Sequence, residues 1–401
     1  MAIILPFRGI LPNPELADKI VTHSADNYTI LEAKQIVEHN PLSYLSVIYP
    51  DCIDKRKTLP HSIERFQKIY QRFQYFKNNN FLSQDSKPIY YIYRQEHAQF
   101  AFNGIIAAIS VQDYLQGNIK IHEQTLSERE VKLKEYLKHC KINAEPVLFF
   151  YEKNIHLQTI LSDIQSYPPF IELILDNVTH KLWKSTNEVF NQQIKKLFDE
   201  LPAVYIGDGH HRSASSVLLA KELGNTNKST QYFLGAFFQE DELKIYSFHR
   251  LLKNISIPDN FIEKLKVHFE VTEINNSTYS LTKNCIGMYL NSQRYLLTFK
   301  QLSNLLDTEI LYEYILKPMF HIIDIRNNSS IQYFSEYLYS KKQVEDMVKK
   351  GEYQLAFFTH PVSIETIKEV ANLHKMMPPK STYVLPKLLN ALVIYSLENS
   401  M

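Results

Sequence analysis

Apolar residues recur along this chain with two periods, and each change of period marks a candidate element. Ile63, Phe66, Ile69, Tyr70 and Phe73 keep helical spacing, so residues 60–77 read as an amphipathic helix. Val189, Phe190, Ile194, Leu197 and Phe198 mark a second helical face within 185–201. Residues 127–138 read as a third helix, with Ser127 as its cap. Two strand-like runs, Ile89 to Tyr93 and Gln99 to Ser110, flank a polar turn and predict an antiparallel pair. The alternation from Tyr44 to Ile48, closed by Pro50 and Asp51, predicts a short strand, and Pro146 to Tyr151 a buried one. Asp113 to Gly117 reads as a turn. Tyr232–Phe238 with Leu243–Phe248, and Ile286–Leu290 with Tyr295–Phe299, predict hairpins; residues 306–320 predict a helix and 354–358 a strand.

One passage stands apart. Ala203-Val204-Tyr205-Ile206 is short and β-rich, a polar loop follows from Gly207 to Gly209, and Ala214, Val217, Leu218 and Leu223 form a helical stripe that stops at Gly224. The chain has only nine glycines, so two of them flanking Asp208 indicate a loop that must turn sharply or approach a ligand closely. A strand feeding a helix through such a loop presents unpaired amides at the positive end of the helix dipole, a geometry that binds anions. Arg212, His210 and His211 add charged donors, and Ser213 a hydroxyl; together they suit a polyphosphate. Asp208 repels a phosphate unless it holds a cation or acts as a base, both standard in phosphoryl transfer. Two alternatives stand beside this: Asp208 as the cap of an Asx turn, and the paired histidines as a zinc site.

Three further clusters carry chemistry. In His122-Glu123-Gln124-Thr125, Glu123 is a candidate general base, or else a helix N-terminal carboxylate with Thr125 as cap. Pro378-Pro379-Lys380-Ser381-Thr382 lacks the glycines of a Walker loop but offers Lys380 to an anion, or is a docked structural segment. His249-Arg250 offers a further positive group, or a surface pair.

Composition narrows the classes. The chain has 401 residues, 45% hydrophobic and 22% charged, which predicts a folded protein of two or three domains. Its net charge of +1 is spread without blocks, so a phosphate-tracking nucleic-acid surface is not expected. Three separated cysteines without C-x-x-C spacing predict neither a disulfide framework nor a cysteine zinc site, and fit a cytoplasmic protein. No stretch approaches the roughly 20 apolar residues that span a bilayer, so no membrane partner is expected.

Phe7-Arg8, Asn40-Pro41-Leu42-Ser43-Tyr44, Asp113-Tyr114 with Gly117, His122-Glu123 with Thr125, Glu145-Pro146, His180 with Leu182-Trp183, Gly207 to Arg212, His249-Arg250 and Met377 to Thr382 resemble, in order, the motifs of the bacterial family DUF1015. The Asp-Gly-His-His-Arg segment also resembles the phosphate-binding segment of the ParB and sulfiredoxin-like superfamily, which includes free serine kinases. Sulfiredoxin has a cysteine where this chain has His210, so sulfinic-acid reduction is not expected. The resemblance implies an α+β fold of mixed sheets, with a ParB/sulfiredoxin-like nucleotide-binding core and added N- and C-terminal α/β elements. The expected segments are 1–85, 86–255 as the core, and 256–401. It implies a small-molecule kinase that moves a phosphoryl group from ATP or ADP, with Mg²⁺, to a small hydroxyl compound such as L-serine.

On that reading Asp208, Glu123 and His210 are catalytic, with Asp208 also on the metal. Gly207, Gly209, His211, Arg212, Ser213 and Lys380 hold the nucleotide, and His122, Thr125, His249 and Arg250 touch the substrate. A phosphate-ester hydrolase and a nucleotide-binding regulator without turnover remain as alternatives.

Overall fold

Every residue of Val147–Tyr151 is apolar, so this strand has no face for water and is buried throughout. It lies inside the largest sheet among the described residues. In the computed structural model, which describes residues 2–54, 56–275, 279–301, 303–398 and 400–401, the chain forms two compact units. The first comprises Met1–Ile121, Thr125–Leu243 and Pro386–Met401, the second His122–Gln124 and Lys244–Leu385.

The sheet of the first unit contains β1 (Ile4–Leu5), β2 (Tyr90–Glu96), β3 (Ala101–Ser110), β4 (Ile119–Lys120), β5 (Val147–Tyr151), β6 (Ile171–Leu175), β7 (Val178–Ser185), β8 (Val204–Asp208) and β9 (Tyr232–Gln239). Its order is β4-β8-β5-β9-β3-β2-β7-β6, with β1 on β3. The β8–β4 and β9–β5 pairs are parallel and the rest antiparallel, so the fold is α+β with a large mixed sheet. The main helices of this unit are α1 (Ile63–Asn78), α2 (Ser127–Cys140), α3 (Glu188–Asp199) and α4 (His210–Leu223). Ile194 and Phe198 of α3 and Val217 and Ala220 of α4 close over Ile105, Phe149, Val204, Ile206 and Phe237 of the sheet. Each large apolar side chain buried there contributes about 1.5–3 kcal/mol.

The second unit holds an antiparallel sheet of β10 (Phe248–Leu252), β11 (Phe269–Ile274), β12 (Cys285–Leu290), β13 (Gln293–Phe299), β14 (Ile331–Ser335) and β15 (Leu355–Phe358), ordered β11-β13-β12-β15-β10-β14. Met288, Leu297 and Phe357 pack against Ile310, Ile315 and Leu316 of the helical stretch from Asp307 to Phe320, whose middle turn, Tyr312–Leu316, is a π-helix. Among the described residues, no helix is long and apolar enough to cross a membrane.

Four local readings are corrected. Leu45–Ile48 is a helical turn, not a strand: Tyr44, Leu45, Ser46 and Val47 are all buried, so four residues display no period, and the Ser43 hydroxyl accepts the Leu45 amide at 3.3 Å to start the turn. Asp113 lies in a short helix, Val111–Leu115, capped by Ser110; Gly117 at φ +74° then turns the chain. Ser127 is the first helical residue, and Leu126 is the cap position. The proposed hairpin of 232–248 does not form, because β9 pairs with β3 and β5, whereas Lys244–Tyr246 pairs with Tyr383–Leu385 and β10 enters the other sheet.

Candidate functional site

Strand β8 carries Gly207 and Asp208 as its last residues, so the glycine loop is shorter than the sequence indicates. A register shift between Ile206 and Asp208 marks a bulge at Gly207. Gly209 alone makes the turn, at φ +101°, and α4 starts at His210. A Cβ at position 209 would stand 2.9 Å from both Nε and Nη2 of Arg212, so the guanidinium lies directly over this α-carbon. Two requirements therefore select glycine here, the left-handed backbone and the cation above it.

The cap position of α4 is Gly209, which has no side chain of its own to accept from the first-turn amides. The Lys387 ammonium donates to Asp208 Oδ2 at 2.8 Å. Arg212 pairs through Nη1 with Glu145, whose Oε2 accepts the Ser24 hydroxyl at 3.0 Å. The Arg212 side chain is 22% exposed, yet its Nε is buried with no hydrogen-bond partner. Burial pulls the guanidinium down to about 10, against the attraction of Asp26, so it stays charged at neutral pH. A buried, charged N–H without an acceptor, beside a helix start, is a donor set for an oxyanion.

Three stretches of the first unit that reach these side chains are also tied by backbone. Thr22 and Asn390 form a reciprocal bridge, and the Ala391 amide donates to the Ala144 carbonyl at 3.0 Å. Residues 22–24, 144–145, 207–213 and 387–391 are thus linked by a chain of contacts that reaches Asp208 through Lys387 and Arg212 through Glu145. Ser213 turns its hydroxyl inward, donating to the His210 carbonyl at 2.9 Å, and is fully buried. His210 is 6% exposed, and His211 is half-buried on the first turn.

The other candidates occupy other places. Thr125, in the first unit, donates to Glu130 near the start of α2. His122 and Glu123 belong to the second unit, where the Met377 amide donates to the His122 carbonyl at 2.8 Å and Glu123 bridges Met377. Arg250, 1% exposed, donates from Nη1 to the Phe248 carbonyl (2.8 Å) and the Thr359 hydroxyl (3.3 Å), and from Nη2 to the Lys380 carbonyl (3.0 Å). His249 donates from Nε2 to the Tyr339 carbonyl at 2.9 Å, and burial holds its pKa down at about 4, so the ring is neutral. Lys380 has φ +57° and is exposed, its ammonium 5.5 Å from the Phe248 ring centre. Pro378 and Pro379 border a cavity of about 470 Å³ within the second unit.

Sequence reasoning gave no role to Thr22, Ser24, Lys387 or Asn390, and quoted Glu145 only as part of a motif. Thr22, Ser24, Lys387 and Asn390 reach the site through contacts more than 100 residues distant in sequence, and Glu145 through Arg212, a separation that local pattern does not carry.

Among the described residues, no three His, Cys, Asp or Glu side chains are grouped to hold a metal. Residues 4–320 match the family described as a protein of unknown function, DUF1015. The chain belongs to this family. No curated protein matches this DUF1015 chain. Among solved structures it is similar to a free serine kinase mutant in complex with AMP, at 14% identity and a TM-score of 0.39, covering 74% of this chain and 90% of that one. It is also similar to a C-terminally truncated SbnI from Staphylococcus aureus (13% identity, TM-score 0.39, 70% of this chain and 82% of that one). A conserved hypothetical protein from Pyrococcus furiosus gives 15% identity, a TM-score of 0.37, and 71% and 94% coverage. Likenesses this distant do not specify a ligand.

Proposed function

We propose that the first unit binds the phosphates of ATP or ADP at the start of α4 and transfers the terminal phosphoryl group to a small hydroxyl compound. One observation carries this reading: the unpartnered Nε of Arg212, held over Gly209 at the start of the helix. An N–H of a buried cation left without an acceptor costs about 1–3 kcal/mol or more, which a phosphate oxygen at that point offsets. Within this proposal the strand, Asp-Gly-His-His-Arg and helix passage is the ParB/sulfiredoxin-like core of the fold.

Phosphoryl transfer asks mainly for position and charge neutralisation. Arg212 and the first-turn amides hold the phosphates, and Gly209 lets the chain approach them. Lys387 beside Asp208 supplies a mobile positive charge at the rim, where the two side chains are 31% and 44% exposed. Asp208 fits Mg²⁺ as one ligand among phosphate oxygens and water, since this ion ordinarily takes only one or two carboxylates from a protein. Bound there, Mg²⁺ would neutralise phosphate charge. In the reaction the acceptor hydroxyl oxygen bonds to the terminal phosphorus and the bridging P–O bond breaks. The shortened nucleotide leaves with the electron pair, and the hydroxyl proton passes to a base or to water.

The test is purified protein with ATP or ADP, Mg²⁺ and a mixture of small hydroxyl compounds, read by mass spectrometry for a phosphorylated product. Product that falls at least about tenfold in Asp208→Asn, with nucleotide affinity kept, supports the kinase. Nucleotide binding without product in any mixture points to a regulator, and phosphate release from a phosphorylated compound alone points to a hydrolase.

A further inference from the structure

Two polar side chains on the stretches that reach this site each leave an oxygen without a partner. Thr22 and Asn390 are each 5% exposed, and Thr22 Oγ1 and Asn390 Oδ1 are buried without hydrogen-bond partners. Their backbones exchange both bonds of an antiparallel bridge, Asn390 N to Thr22 O at 2.7 Å and Thr22 N to Asn390 O at 3.3 Å. Residues opposed in such a bridge put their side chains on the same face, with Cβ atoms about 4.5–5.5 Å apart. The two side chains therefore share a face, and neither orphaned oxygen bonds the other. Leaving each buried and unpaired costs about 1–3 kcal/mol, and threonine to valine or asparagine to leucine would remove that cost at nearly constant shape.

Backbone strain holds the pair where it is. Ala391, the next residue, has φ +65°, a left-handed conformation that costs an alanine about 1–2 kcal/mol. Its amide is fixed to Ala144, which precedes Glu145, the partner of Arg212 and Ser24. Three residues before Asn390, Lys387 reaches Asp208. The orphaned oxygens thus lie on the stretches that carry the phosphate donors, but add lone pairs where those add N–H groups. An amide oxygen accepts only, and a threonine hydroxyl can accept as well as donate, so a group with several donors can serve both oxygens at once.

We propose, building on the kinase reading above, that Thr22 and Asn390 form the acceptor subsite and that its occupant is a small hydroxyl compound carrying a protonated amine. The ammonium donates to Asn390 Oδ1 and Thr22 Oγ1, which leaves the acceptor's hydroxyl to face the phosphates. A compound with hydroxyls alone satisfies the pair less well, having fewer donors and no charge.

Calorimetry with L-serine, ethanolamine and glycerol, each titrated with and without ADP and Mg²⁺, tests this on wild type, Thr22→Val and Asn390→Leu; nucleotide is titrated separately. The expected result is that L-serine or ethanolamine binds wild type and glycerol binds about tenfold or more weaker. Both variants should weaken the amine-bearing ligand by about tenfold or more, with nucleotide affinity kept and a Tm equal to or above wild type. Unchanged binding of the amine-bearing ligand in Thr22→Val overturns the proposal, as does equal binding of glycerol, or no binding of any probe. Should Asn390→Leu not fold, Thr22→Val decides alone. Failure of wild type to bind nucleotide overturns the kinase reading instead, and the titrations without nucleotide still decide the subsite.

Discussion

Arg212 in the first unit and Arg250 in the second are both pulled down to about 10 by burial, yet they are built for different ends. The Arg250 side chain sits among neutral oxygens that accept from both terminal nitrogens, and its guanidinium lies 5.7 Å from the Tyr333 ring centre. Arg212 pairs with the Glu145 carboxylate and is attracted by Asp26, keeps an unpartnered Nε, and opens partly to solvent. A guanidinium whose donors end on its own fold stabilises that fold. One that keeps a donor in reserve at a helix start is poised for an anion from outside.

The sharpest way to break this contrast is Arg250→Met. The Phe248 and Lys380 carbonyls and the Thr359 hydroxyl then lose their donor inside the second unit, and the expected loss is about 3 kcal/mol or more in urea unfolding. A loss below about 1 kcal/mol would show that Arg250 is not a structural post, and the comparison would fail on that side.

A second pair extends the comparison to acid. His180 in the first unit is 1% exposed, meets the Tyr93 hydroxyl at 2.6 Å through Nδ1, and is held down at about 3 by burial; His249 in the second is held at about 4. Both folded values lie below the unfolded value near 6.5, so the unfolded chain binds protons first. Stability is therefore fully present above about pH 6.5 and falls as pH drops toward 3 for His180 and toward 4 for His249. By pH 4.5 His180 should account for about 2–3 kcal/mol of lost stability, and His180→Gln should flatten the urea-derived stability between pH 7.5 and 4.5. An unchanged slope in that variant would show that the ring is not buried neutral.

Arg212→Lys addresses the other side. Lysine keeps the charge but lacks the fork and the Nε donor, so nucleotide affinity should fall by about tenfold or more while Tm shifts little. If affinity holds and Tm falls by as much as in Arg250→Met, the two arginines serve alike.

Much of this was legible in residue order, because some signals are local. The strand-glycine-helix passage, α1, the β2–β3 pair and the β12–β13 hairpin all announce themselves within about twenty residues, through periodicity and turn chemistry. Asp208, Gly209 and Arg212 were legible for the same reason. What was hidden is what depends on distant contact. Leu45–Ile48 is too short and too buried to show a period, and the 232–248 hairpin obeyed local rules but lost to pairing with β3 and β5. The stretch from Pro386 to Met401 belongs to the first unit and brings Lys387 and Asn390 to the site, a placement set by Ala144, Thr22 and Asp208 rather than by its own pattern.

The finest separation between backbone and ligand roles comes from two glycines of the first unit. Gly209 and Gly117 both have positive φ, +101° and +74°, so alanine at either position carries a backbone penalty of about 1–2 kcal/mol. They differ in what a methyl group would meet: nothing within 4 Å at Gly117, and Nε and Nη2 of Arg212 at 2.9 Å at Gly209. Gly117→Ala should therefore lower stability slightly and leave nucleotide affinity unchanged. Gly209→Ala should lower stability by a similar amount and, by pushing the guanidinium off the helix start, weaken nucleotide binding by several-fold, about 1 kcal/mol. The difference between the two variants in binding, measured against their near-equality in Tm, isolates the position of Arg212 from the strain of the turn. Equal affinities would mean that the guanidinium does not need its place over residue 209 to meet the phosphates.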